Sequence, residues 1–140
     1  MRYLHVERKM VHRDIKPANI LIKNGHVKLA DFGRSKVLGD NEKLTAAVGW
    51  EAYMPPEMAN SEEYSFSVDV WNLGIVLLDV CLGQLVYPNS IAYMDSSFPE
   101  KLITEVPDSI LRKLLTGMIQ RRPTERLTIE EVCEISRTLK

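Results

Sequence analysis

Three side chains in the stretch Val11 to Gly33, VHRDIKPANILIKNGHVKLADFG, have the types and spacing to act together. They are the carboxylates of Asp14 and Asp31 and the amide of Asn19. An amide oxygen together with a carboxylate suits a hard cation such as Mg²⁺, which takes few protein ligands and fills its other positions with water and phosphate oxygens. Asp14, on the loop leading to Asn19, is then free to act as a base. One short hairpin must position all three. Ile20-Leu21-Ile22 and Val27-Lys28-Leu29 are β-prone, and Asn24-Gly25 between them is a strong two-residue hairpin signal, because a type I′ turn needs positive φ at both central positions. That turn sets Lys23 opposite His26, Ile22 opposite Val27, Leu21 opposite Lys28 and Ile20 opposite Leu29. Further out, Asn19 falls opposite Ala30 and Ala18 opposite Asp31. Opposed residues lie about 4.5–5.5 Å apart at Cβ, so the open end of the hairpin is expected to bring Asn19 and Asp31 together.

The rest of the chain reads as a helical support. Residues 1 to 10 look like the tail of a helix, and residues 34 to 55 form a long segment with little periodicity. Pro55-Pro56-Glu57 then reads as a short helix start. The main helix follows, with Ser67 as N-cap, Asp69 near its positive end, and apolar residues nearly all round until Gly83, which predicts burial. A membrane span is excluded by length and by Asp69, Asn72 and Asp79. Residues 84 to 107 are irregular, broken by Pro88, Pro99 and Pro107. Ile110, Leu111, Leu114, Leu115, Met118 and Ile119 recur at helical spacing, and Thr128 with Glu131 makes a capping box before Val132, Ile135 and Leu139. The expected class is α+β, mainly α, as one domain.

Hydrophobic content of 45% and charged content of 26% fit a globular protein, and a net charge of −1 with interspersed signs gives no general attraction to nucleic acid or membrane. Cys81 and Cys133 fall in apolar helical stretches and are expected as buried free thiols, which suits an intracellular, cytoplasmic setting. His5, His12 and His26 lack zinc-ligand spacing.

Two signatures in order carry a family resemblance. His12-Arg13-Asp14-Ile15-Lys16-Pro17-Ala18-Asn19 resembles the catalytic loop of eukaryotic protein kinases, and Asp31-Phe32-Gly33 resembles their magnesium-binding turn. Lys16-Pro17-Ala18-Asn19 resembles the serine/threonine type. The resemblance implies ATP and Mg²⁺ as cofactors and a protein substrate. Asp14 would orient the substrate hydroxyl, Lys16 would meet the transferring phosphate, and Asn19 and Asp31 would hold metal. His12, Phe32 and Gly33 would be structural parts of the two motifs. Arg13 implies control by activation-loop phosphorylation, Thr45 stands where an upstream kinase would act, and Lys36 is a candidate second cation. Thr45 also fits a plain loop residue. Glu57, in Tyr53-Met54-Pro55-Pro56-Glu57, should pair with Arg126. Asp69 matches a helix-start aspartate that holds the catalytic-loop backbone, although a plain helix-dipole residue would also sit there.

Three departures stand out. Only 13 residues precede Asp14 and no G-x-G-x-x-G is present, so residues 1–140 resemble a C-terminal lobe without its N-terminal lobe. Trp50 follows Gly49 where this family usually has threonine, although some branches, including the MAP kinase kinases that this segment loosely resembles, lack it. The region from Gly83 to Asp108 is shorter than usual. Two functions follow from these features: an ATP- and magnesium-dependent serine/threonine kinase lobe, or a non-catalytic, pseudokinase-like interaction module. In either, the missing lobe or a partner would cover the cleft face.

Overall fold

The hairpin forms in the expected register. The computed structural model, which describes residues 1–86 and 99–139, pairs strand β2 (Ile20–Lys23) with strand β3 (His26–Leu29), Ile20 opposite Leu29 and Lys23 opposite His26. Asn24 and Gly25 have φ of 52° and 75°, the left-handed pair that a type I′ turn demands. One further bond, Ala30 N–H to Asn19 O at 2.9 Å, extends the ladder. It stops there, and the expected pairing of Ala18 with Asp31 does not form. Pro17–Asn19 closes into a 3₁₀ turn, and Asp31 takes φ of 57°, so both chains leave the strand direction.

A second small sheet was not foreseen. Strand β1 (Met10–Val11) pairs with strand β4 (Lys36–Val37) antiparallel, Met10 opposite Val37. Residues 34 to 55 are therefore not structureless: besides β4 they contain a bridge from Leu44 to Tyr64 and a 3₁₀ turn over Glu51–Tyr53. Before β1, the expected helix tail is a single π-helical turn, Tyr3–Glu7.

Helix α1 (Pro56–Ala59) starts on proline as expected. The central helix α2 (Ser67–Leu82) buries Val68, Val70, Trp71, Ile75, Val76 and Leu78, whereas Val80 is 73% exposed. Ser67 is its first helical residue and makes no capping bond; Phe66 occupies the cap position. Gly83 ends the helix in the left-handed conformation, its N–H on Asp79 O. After the short helix α3 (Glu100–Ile103), helix α4 (Ser109–Met118) is capped by Asp108, whose side chain accepts from Leu111 N–H. Helix α5 (Ile129–Ser136) carries the reciprocal Thr128 and Glu131 capping box. α4 packs closely on α2, since a Cβ on Gly74 would stand 2.7 Å from Ile119 Cγ1. Pro88 and its neighbours lie outside the described residues.

Two apolar clusters result. The larger joins α2, α4 and α5 with Ile15 and Tyr53; the smaller joins Val11, Leu38, Leu44, Met58, Tyr64 and Val68. Cys81 and Cys133 are free thiols as expected, but half-buried rather than buried. Burial raises the Cys81 thiol pKa. Among the described residues no helix is long and apolar enough to cross a membrane.

Candidate active site

The loop between β1 and β2 owes its shape to a residue far along the chain. Asp69, fully buried near the start of α2, accepts from His12 N–H at 2.7 Å through Oδ2 and from Arg13 N–H at 2.8 Å through Oδ1. His5 Nε2 lies 2.8 Å from the same Oδ2. Arg13 has φ of 67°, a left-handed conformation that costs a non-glycine residue roughly 1–3 kcal/mol. Bonds from both amides to one carboxylate offset that strain, since a hydrogen bond to a charged group contributes more than a neutral one.

His12 is buried and locks the loop to the hairpin's exit. Its Nδ1 accepts from Asp14 N–H at 3.3 Å, which makes Nε2 the donor to Ala30 O at 3.1 Å. Phe32 meets the imidazole edge-on, centroids 4.9 Å apart, and is otherwise 45% exposed. Gly33 N–H turns back to Asp31 Oδ1 at 3.2 Å, an Asx-type turn that suits the left-handed Asp31.

These contacts leave Asp14 buried with its two oxygens differently engaged. Oδ2 receives Lys16 Nζ at 3.0 Å and Asn19 Nδ2 at 3.1 Å, with Arg34 Nε at 3.9 Å. Asn19 Nδ2 also donates to Asp14 O at 2.8 Å. Among the described residues Asp14 Oδ1 has no hydrogen-bond partner, and neither has Asn19 Oδ1. Gly49 closes over this loop with φ of 110°. A Cβ there would stand 2.8 Å from Arg13 O and 3.8 Å from Asp14 Oδ1, so only glycine fits. Trp50, the next residue, is 54% exposed and tilts against Tyr53, centroids 5.9 Å apart.

The site therefore gathers Asp14, Lys16 and Asn19 through direct bonds. Asp31 is exposed and bonded only within its own turn, so its carboxylate and the Asn19 amide oxygen stand as open oxygen donors of the kind Mg²⁺ takes. No cluster of three or more His, Cys, Asp or Glu suited to a metal occurs among the described residues.

Three further expected residues lie outside this group. Arg13 Nε donates to Arg34 O at 2.6 Å and Nη1 to Tyr64 OH at 3.3 Å. Thr45 is exposed. Lys36 is engaged by Glu42 at 2.8 Å, which holds that carboxyl below the usual glutamate range. Glu57 and Arg126 meet in a buried bidentate pair at 2.5 and 2.7 Å.

Several participants had no sequence signal. His5, Arg34 and Tyr64 belong to no spacing pattern. Nor does the Tyr53 clamp, in which Tyr53 OH donates to Asp79 Oδ2 at 2.7 Å while Asn72 Nδ2 donates to Tyr53 O.

Comparison with known proteins covers the same ground. The protein kinase domain model matches residues 1–136. Mitogen-activated protein kinase kinase 1 of Arabidopsis thaliana is 45% identical over 146 residues, covering 94% of this chain and 41% of that protein. An Aurora kinase of Debaryomyces hansenii is 37% identical over 142 residues, covering 93% and 33%. Serine/threonine-protein kinase Nek10 of Homo sapiens is 35% identical over 123 residues, covering 86% and 10%. The chain thus spans well under half the length of these curated relatives. Because the match runs almost from end to end and includes the loop, the hairpin and the helical support alike, this chain belongs to the protein kinase domain family.

Proposed function

We propose that residues 1–140 form the C-terminal lobe of a serine/threonine protein kinase that transfers the γ-phosphoryl group of Mg-ATP to protein hydroxyls. The observation that carries this reading is the divided state of Asp14. Its Oδ2 is saturated by Lys16 and Asn19, while Oδ1 is left without a partner among the described residues. A substrate hydroxyl bonded to Oδ1 is oriented for attack, and its proton has an acceptor; general-base help of this kind contributes roughly 10²–10⁴-fold. Lys16, 3.0 Å from Oδ2, holds the carboxylate in place and brings a positive charge to the side of the transferring phosphoryl group. Asn19 and Asp31 supply the oxygen ligands for magnesium. The bound ion offsets charge on the β- and γ-phosphates. Thr45 is the acceptor for an upstream kinase, with Arg13 as the phosphate's receptor. Free cysteines suit an intracellular, cytoplasmic setting.

In the full-length protein, Asp14→Asn should lower phosphoryl transfer to a protein substrate by at least about 10²-fold with nucleotide affinity nearly unchanged. Transfer at the wild-type rate by that variant defeats the assignment.

One observation favours a second reading, the non-catalytic interaction module. Ile22 and Val27, opposed across the hairpin, are 74% and 66% exposed on one of its faces, and Leu21 is 54% exposed on the other, apolar surface suited to cover by an N-terminal lobe or by a partner. Measurable transfer that depends on Asp14 excludes it.

A further inference from the structure

Tyr64 is almost fully buried, yet its hydroxyl faces two groups from separate parts of the chain. It accepts from Arg13 Nη1 at 3.3 Å and donates to Ala46 O at 2.6 Å. Its backbone pairs with Leu44 in both directions, Leu44 N–H to Tyr64 O at 3.0 Å and Tyr64 N–H to Leu44 O at 2.8 Å. Leu44 and Ala46 flank Thr45. One tyrosine therefore fixes the residue on each side of Thr45 and, through the same hydroxyl, the guanidinium of Arg13.

Arg13 is set up to be positioned in this way. Of its five N–H donors, Nε is used by Arg34 O and one on Nη1 by Tyr64, so three remain without a partner among the described residues. No carboxylate lies within 4.0 Å of it among those residues. A half-buried guanidinium with no counter-charge, and with free donors in a planar fork, suits an oxyanion.

We propose that Tyr64 is the positioning residue for Thr45 control: its hydroxyl holds the Arg13 fork and the Leu44 to Ala46 backbone in one frame, so that a phosphate on Thr45 meets a pre-oriented guanidinium. This rests on the reading of Thr45 as a phosphorylation site and adds the element that couples it to the catalytic loop. The hydroxyl acts as acceptor toward Arg13 and donor toward Ala46, roles that phenylalanine cannot fill while keeping the ring's packing against Val11, Leu38, Met58 and Val68.

The test is the ³¹P resonance of a phosphothreonine installed at position 45 of the full-length protein, titrated with pH. The second ionisation of an exposed phosphothreonine lies near about 6, and a fixed guanidinium should lower it by about one pH unit or more. Arg13→Ala should return it to the exposed value, and Tyr64→Phe should recover at least half of that shift although Arg13 is still present. A loss of fold alone does not mimic this pattern, because unfolding would broaden or duplicate the resonance. If Arg13→Ala leaves the titration unchanged, the phosphate is not held by Arg13, and both the Thr45 reading and the Tyr64 proposal fall. If Arg13→Ala moves it and Tyr64→Phe does not, the Thr45 reading stands and the role of Tyr64 alone is overturned. Should Tyr64→Phe not fold, the wild-type Tyr64 hydroxyl proton serves. Its exchange with water should slow on Thr45 phosphorylation, and unchanged exchange refutes the frame.

Discussion

A guanidinium sealed from water has to find a partner for every donor, and Arg126 does so. Its side chain has no exposure, and Glu57, its carboxylate partner, has 1%. Besides that bidentate pair, Arg126 Nε donates to Gln120 O at 2.6 Å, Nη1 to Ser67 O at 3.3 Å and Nη2 to Arg121 O at 3.3 Å. All five N–H groups are thereby used, and the plane lies 4.9 Å over the Trp71 ring. Removing one partner of such a pair leaves a buried charge uncompensated, so Arg126→Met should cost about 3–5 kcal/mol of unfolding free energy. Urea denaturation measures it, and a loss below about 1 kcal/mol would show the pair to be incidental. The double change with Glu57→Gln should cost less than the sum of the two single changes, because the stranded charge is gone. The pairing itself could be read from the sequence through the family resemblance. The three carbonyls could not, because every residue carries one and only the fold selects among them.

At the scale of elements, the hairpin was the most legible part, since Asn24-Gly25 fixes a turn and the turn fixes every rung. The sheet of β1 and β4 was illegible for the opposite reason: strands of two residues have no periodicity, and their partners lie 25 or more positions apart. The Tyr53 clamp was equally hidden, and it joins three elements. Tyr53, at the end of the 3₁₀ turn, donates to Asp79 Oδ2 of α2, while Val86 N–H donates to Asp79 Oδ1 at 2.6 Å. Burial raises the pKa of the Asp79 carboxyl despite both bonds, and burial with the neighbouring carboxylate raises that of the Tyr53 hydroxyl, keeping it a donor. A carboxyl whose folded pKa exceeds its unfolded value binds its proton more tightly in the folded chain. Its stabilising effect is complete below the ordinary aspartate value of 3.8 and is lost as pH rises through the folded value. Asp79→Asn has no carboxyl to ionise there, so its denaturation midpoint should fall less than the parent's as pH rises above 3.8. Parallel profiles for variant and parent would rule out the linkage. Glu42, shifted downward on the surface, acts in the opposite sense but is common to both proteins and drops out of the comparison.

For the whole molecule, the distribution of apolar surface decides behaviour in solution. The two clusters are well covered, yet Leu21, Ile22, Val27 and Val80 are each more than half exposed. Apolar groups gathered on a hairpin and a helix flank favour association. The 140-residue chain by itself should scatter light as species heavier than 16.0 kDa at micromolar concentration, and Ile22→Thr with Val27→Thr should reduce that mass. A monodisperse wild-type monomer would contradict this. The long reach of Asp69 also imposes an order in time. The loop is made before the residue that fastens it, since Asp69 lies 56 and 57 positions after the two amides it holds. At roughly 5–20 residues per second, synthesis leaves that loop unfastened for at least about 3–11 seconds, and Arg126 must then emerge before α1 and α2 are tied together. The segment proposed to hold the active site thus leaves the ribosome well before the residue that fastens it, so a chaperone that shelters a nascent chain has work to do here.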